Sequence, residues 1–167
     1  MDSQAQPDSQ LYVRSEPRRY RIANADEIIE AARLVAGQRT QRGASFTDPN
    51  ASGKFFQDKL AGLDREVFAA AFLDTRHRLI SYTELFCGSI DGAEVHPREV
   101  VKQALRLNAA AVILTHNHPS GDPEPSIADR AVTARLKHAL ALVEVRILDH
   151  IIVGGLKTVS LAERGWL

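Results

Sequence analysis

Residues Ala109 to Asp129 read AAAVILTHNHPSGDPEPSIAD, and this stretch decides the fold. Ala109 to Leu114 is an uninterrupted apolar run, as expected of a strand buried on both faces in the middle of a sheet. It leads into His116-Asn117-His118, and side chains two apart on a strand project to the same face, so both imidazoles are presented to one point. Pro119, Gly121, Pro123 and Pro125 then stiffen a loop that brings the next helix back over the strand end. That helix starts at Ser126 and carries Asp129 in its first turn. Two neutral imidazoles and one carboxylate leave the fourth position of a tetrahedral Zn²⁺ open, the arrangement of a catalytic site and unlike a closed structural one. Each half has a plainer reading: Ser126-x-x-Asp129 is also a capping box, and His-x-His is common on surfaces and in satisfied hydrogen-bond networks. Both halves at one strand end, with seven residues between them, point to a metal.

Outward from this stretch, helical and strand patterns alternate, an α/β (α+β) signature. Upstream, Asn24 and Glu27 form a capping box for a helix whose stripe of Ile28, Ile29, Ala32 and Val35 ends at Gly37. Phe55, Phe56, Leu60 and Leu63 mark a second helix. Glu66 to Leu73 and Leu79 to Phe86 read as a hairpin about the polar turn Asp74 to Arg78. Pro97 opens a helix with Val100, Val101, Ala104 and Leu105 on one face. Downstream, Ser126 to Leu142 is helical, with an apolar face of Ile127, Ala131, Val132, Leu136, Ala139 and Leu140. Val145 to Val153, rich in β-branched residues, follows as a strand.

The 167 residues suffice for one domain with tails, and 44% hydrophobic with 25% charged residues is an ordinary globular balance. Met1 to Arg21 is polar and expected to be a disordered arm. Its Arg18, Arg19, Arg21 and Tyr20 form a basic-aromatic cluster that reads as solvated rather than phosphate-binding. Residues 22–42 are a helix and linker, and 43–167 the main domain. Formal net charge is zero, without the excess expected of an autonomous nucleic-acid module. A single cysteine, Cys87, excludes an intramolecular disulfide framework and reads as a buried, inert thiol. With no signal-like or membrane-spanning stretch, a cytoplasmic location is expected. His96 and His150 read as structural hydrogen-bonders, His150 with the option of supporting a metal ligand. His77 and His138 read as surface residues, and Trp166 and Leu167 as docking the C-terminus.

His116-x-His118, seven residues, then Ser126-x-x-Asp129 resembles the signature of the JAB/MPN (JAMM) metalloprotease superfamily, which includes deubiquitinating isopeptidases. The wider wording, GSIDGAEVHPREVVKQALRLNAAAVILTHNHPSGDPEPSIADRAVT with LDHIIVG and the ending ERGWL, is similar to its RadC branch. The resemblance runs from about Gly43 to Leu167 and implies a central mixed β-sheet flanked by helices, in the short form that lacks an N-terminal helix-hairpin-helix region. It makes His116, His118 and Asp129 the ligands of one zinc per chain, and Ser126 the hydroxyl that supports the water or the developing oxyanion. It also implies a catalytic glutamate from an earlier strand. That role falls on Glu66, with Glu84 the main competitor, because it too lies in a strand, and Glu94 and Glu99 behind it.

The function implied is a zinc-dependent metallohydrolase that cleaves a peptide or isopeptide bond of a peptide or protein substrate. The alternative is a DNA-repair or mobile-element protein that binds DNA or a DNA-bound partner, with the metal secondary. A facial triad for non-haem Fe(II) has the same ligand types but needs three open octahedral positions and usually a β-rich fold, so zinc is preferred. Oligomeric state has no signature in the sequence.

Overall fold

The computed structural model describes residues 11–16, 19–39, 43, 45–88 and 94–167. In chain order the elements are β1 (Tyr12–Glu16), β2 (Arg19–Ile22), α1 (Ala25–Arg39), α2 (Pro49–Leu60), β3 (Val67–Leu73), β4 (Leu79–Cys87), α3 (Pro97–Arg106), β5 (Ala111–Asn117), α4 (Ile127–Ala141), β6 (Arg146–Gly154) and β7 (Lys157–Ser160). The main sheet has the order β4-β3-β5-β6-β7. Only β5 and β6 run parallel, with α4 as their crossover; every other pairing in the sheet is antiparallel. This is the mixed, helix-flanked sheet expected, with Ala111–Asn117 at its centre.

The sheet has two apolar faces because the strand period is two. On one face Val67, Ala71, Leu73, Ala111, Ile113, Ile151 and Val153 pack beneath Phe55, Phe56 and Leu60 of α2, with Phe46 beside them. On the other, Phe68, Ala70, Phe72, Val112 and Leu114 pack beneath Val100 and Ala104 of α3 and Leu136 and Leu140 of α4. Counting by twos along β5 from Val112 and Leu114 arrives at His116, so the first imidazole emerges on the α3/α4 face. His118 follows the last strand residue, and its N–H still donates to the Val153 carbonyl (2.8 Å), which extends the β5/β6 ladder through the His-Asn-His triplet.

Several expectations need correction. Within residues 1–21, the described part is not a disordered arm: β1 and β2 pair as an antiparallel hairpin. Alternating polar and β-prone residues such as Tyr12, Arg14, Arg19 and Tyr20 suffice for a two-stranded ribbon without a core, which is why low apolar content concealed it. Met1 to Gln10 and Arg18 lie outside the described residues. Arg21 forms a two-pronged ion pair with Glu27. Glu27 also completes the expected Asn24/Glu27 capping box, and these hydrogen bonds, that from Arg21 foremost, lower its carboxyl to about 2. Ile127 is exposed, because the first residue of α4 lies off the helix stripe that Leu136 and Leu140 bury. Cys87 is exposed at the end of the edge strand β4, where the sheet stops covering it.

Strand β7 is an addition to the sequence reading. It closes the β6 edge and is pinned at its end by Asp149, whose carboxylate accepts from Ser160 Oγ (2.6 Å) and the Ala162 N–H (3.0 Å). After it the chain turns back over the start of α4, where the Trp166 ring lies against two guanidinium groups, Arg130 (4.4 Å) and Arg164 (5.2 Å). Arg164 also makes two hydrogen bonds to Glu124 in the loop before α4. Among the described residues no helix is long and apolar enough to cross a membrane.

Candidate metal centre

The site forms where the C-terminal end of β5 meets the N-terminus of α4, the position at which parallel strands commonly present ligand-binding groups. His116 is buried, while His118 and Asp129 are partly so, and one donor atom from each lies within 4.8 Å of the others. Nε2 of His116 and Nε2 of His118 are 3.0 Å apart. The Asp129 carboxylate faces them, with Oδ1 3.1 Å from His116 Nε2 and Oδ2 3.5 Å from His118 Nε2.

Asp129 is aimed by the capping box. Ser126 Oγ accepts from the Asp129 N–H (3.1 Å), and the Ser126 N–H donates to Asp129 Oδ2 (2.6 Å). The plainer reading of Ser-x-x-Asp is therefore correct and complementary: the cap fixes the carboxylate that meets the histidines. Burial works against the Asp129 anion, yet the facing His116 and His118 rings, which donate to it from Nε2 when protonated, outweigh it and hold the carboxyl far below the usual range. The Asp129 hydrogen bond in turn raises the His118 pKa against its partial burial.

The far side of the His118 ring is set by the loop. Nδ1 lies 2.7 Å from the Asp122 carbonyl, which can only accept, so Nδ1 carries the proton and Nε2 keeps its lone pair. Gly154 of β6 lets that loop pack closely: a Cβ there would lie 2.4 Å from Pro123 N and 2.7 Å from Asp122 C. Opposite, His116 Nδ1 is 2.9 Å from Nε2 of His150, which is fully buried; burial lowers the His150 pKa well below the ordinary value and keeps the ring neutral. His150 thus supports His116 from behind and is not one of the three converging donors.

A cavity of about 630 Å³ opens over this cluster. Glu66, Glu94, His116, His118, Ser126 and Asp129 contribute to its lining, with Phe68, Val95 and Val132 as an apolar wall. Glu66 is one residue ahead of β3, and its backbone is gripped from both sides by the buried Asn117 amide. Asn117 Oδ1 accepts from the Val67 N–H (2.8 Å) and Nδ2 donates to the Arg65 carbonyl (2.9 Å). The middle residue of His-Asn-His therefore positions Glu66, a role that sequence reading missed.

Glu84, ranked in sequence as the main rival to Glu66, lies elsewhere. With Glu99 it borders a separate depression between β4 and α3. A β-bulge between Phe68 and Ala69 shifts the β3/β4 register, a change invisible to a simple alternation count. The rival that shares the cavity is Glu94. His96 precedes α3 without a side-chain capping bond and packs its ring edge-on to Phe86 (6.0 Å); among the described residues this ring contact takes the place of the hydrogen bond expected.

The donor set fits a borderline metal such as zinc: two imidazole nitrogens, one carboxylate, and solvent-accessible space on one side. The comparison with protein families agrees with this geometry. A family model described as a RadC-like JAB domain matches residues 46–166. The chain belongs to this family. Among its relatives, a UPF0758 protein of Vibrio cholerae is 55% identical over 140 residues, covering 84% of this chain and 88% of that protein. UPF0758 proteins of Xanthomonas campestris pv. campestris and Xylella fastidiosa are 59% and 61% identical over 127 residues, 76% of this chain. The chain spans only 56% and 57% of those two proteins, about half their length. The RadC-like JAB match includes every residue of the cluster as well as Glu66 and Asn117.

Proposed function

We propose that this RadC-like protein is a zinc-dependent metallohydrolase of the JAMM type that cleaves a peptide or isopeptide bond in a cytoplasmic peptide or protein substrate. The observation that carries this reading is the convergence of His116 Nε2, His118 Nε2 and the Asp129 carboxylate at the floor of an open cavity. Those three residues would hold the metal, one per chain. When bound, zinc supplies an acidified water and polarisation of a substrate carbonyl. The Glu66 carboxylate, which lines the same cavity, would accept a proton from the attacking water and return it to the departing amine, a general base followed by a general acid. Ser126 keeps its hydroxyl proton while accepting from the Asp129 N–H, so Oγ can donate to the water or to the developing oxyanion. Phe68, Val95 and Val132 limit solvent on one side of the reacting bond.

Elemental analysis of protein purified without a histidine tag tests the metal. One zinc per chain is expected, and His116→Ala and Asp129→Ala should lose it while remaining folded, since the sheet and helices have cores of their own. Wild-type zinc content in both variants would sink the reading. If zinc-loaded protein turns over no peptide or isopeptide substrate, while DNA or a DNA-bound partner binds equally well to zinc-free variants, the interaction-protein alternative replaces it.

The pH dependence follows from His118. Its conjugate acid is stabilised by Asp129, so protons compete with zinc from a higher pH than an isolated imidazole, of pKa about 6.5, would allow. Zinc affinity is expected to hold at alkaline pH and fall as the pH drops through that raised value. Competition with a chromogenic chelator across pH would show it, and a flat profile down to pH 5 would contradict it.

A further inference from the structure

Behind the metal ligands runs a chain of short hydrogen bonds that the proposed mechanism does not use. His116 Nδ1 lies 2.9 Å from His150 Nε2, His150 Nδ1 lies 2.6 Å from Thr133 Oγ1, and Thr133 Oγ1 lies 2.6 Å from the backbone carbonyl of Asp129. Thr133 and His150 are both buried. Each contact needs one proton, and the last acceptor decides where all of them sit. A carbonyl oxygen cannot donate, so the single hydroxyl proton of Thr133 goes to Asp129 O. Thr133 Oγ1 must then accept from His150 Nδ1–H, which leaves His150 Nε2 with a lone pair. His116 Nδ1–H must donate to it. A neutral His116 ring therefore carries its proton at Nδ1; its Nε2, 3.0 Å from His118 Nε2 and 3.1 Å from Asp129 Oδ1, holds no proton of its own, and a proton shared there in the metal-free site is one that the metal displaces.

We propose that Thr133 and His150 are positioning residues which fix the Nδ1–H tautomer of His116 and so keep its Nε2 free to bind metal. The proposal rests on the metal reading above and adds what prepares one ligand. The chain also closes on itself. It leaves the ligand His116, passes through β6 and the second turn of α4, and ends on the backbone of the ligand Asp129, so two ligands from different elements share one support. Such outer partners commonly set ligand orientation and basicity, and their loss typically costs about 10–100-fold in metal affinity.

Thr133→Val keeps the shape of the side chain but neither accepts nor donates. His150 Nδ1–H then has no partner, and the ring is released to carry its proton on Nε2 instead. That proton would face His116 Nδ1 and drive the His116 proton onto Nε2, the ligating atom. Thr133→Val is therefore expected to bind zinc about 10–100-fold more weakly in chelator competition. Thr133→Ser, which restores the hydroxyl, should bind within a few-fold of wild type. A merely structural role would not separate the two if both variants keep the wild-type circular dichroism.

Nitrogen-15 spectra of the histidine rings in the full-length, zinc-free wild type supply a readout that needs neither metal nor variant. His150 is expected as the neutral Nδ1–H tautomer. A proton on His150 Nε2, or wild-type zinc affinity in folded Thr133→Val, overturns the proposal. Failure of the wild type to bind zinc while His150 shows the expected tautomer rejects the metal reading and leaves the hydrogen-bond chain established.

Discussion

Glu66→Gln is expected to lower hydrolysis of any identified peptide substrate by about 10²–10⁴-fold, the range associated with losing general acid-base catalysis, while zinc remains stoichiometric. Glutamine is nearly isosteric and leaves the backbone grip of Asn117 intact, because both of its bonds go to the neighbours Arg65 and Val67. Only proton acceptance is removed. Zinc should be unaffected, since Glu66 is not one of the three converging groups. Glu94→Gln, in the same cavity, and Glu84→Gln, outside it, serve as comparisons and should retain activity. Wild-type turnover in Glu66→Gln together with an inactive, zinc-loaded Glu94→Gln would transfer the role to Glu94.

Gly154→Ala is expected to damage stability and the metal site together. The added carbon meets Pro123 N, Asp122 C and Gly121 O, all at 2.7 Å or less. These are backbone atoms, so no flexible side chain can move aside. Overpacking of this kind costs about 1–3 kcal/mol, a fall in melting temperature on the order of 2–12 °C for a chain of this size. Relief comes by lifting the 121–123 loop, which draws the Asp122 carbonyl away from His118 Nδ1 and frees that ring to change tautomer. Zinc affinity should fall with it. Gly155→Ala is the control: its φ of +56° disfavours alanine, but the nearest atom is 3.9 Å away. That strain costs about 1–2 kcal/mol without displacing the loop, so zinc affinity is retained. A Gly154→Ala protein with unchanged melting and zinc binding would show that the loop yields freely.

What could be read from sequence had a local physical cause. The run ending at Leu114 had to be a central strand because no exposed element tolerates so many consecutive apolar residues, and the His-x-His spacing carried the face of the ligands with it. The β3/β4 hairpin was legible from the Asp74–Arg78 turn, where the Asp74 carboxylate accepts from two backbone N–H groups. Strand β7 was not, because KTVS has a single strongly apolar residue and is a strand only by completing the β6 edge. His150 and Thr133 join His116 across the βαβ crossover, and Asn117 reaches Val67 from fifty positions away. No window along the chain contains those partners. Glu84 was set above Glu94 as the rival to Glu66 for a related reason, since strand membership says nothing about which side of the sheet a cavity occupies.

The seat of Trp166 turns a packing detail into a measuring device. It is the only tryptophan in the chain, and its ring touches Arg130, the residue after Asp129 of the candidate site, and Arg164, which is tied to Glu124 in the loop that orients His118. The indole therefore contacts both arms of the site without entering it. Its emission is expected to respond to rearrangement of either arm, so metal titration of the unlabelled chain can be followed by fluorescence.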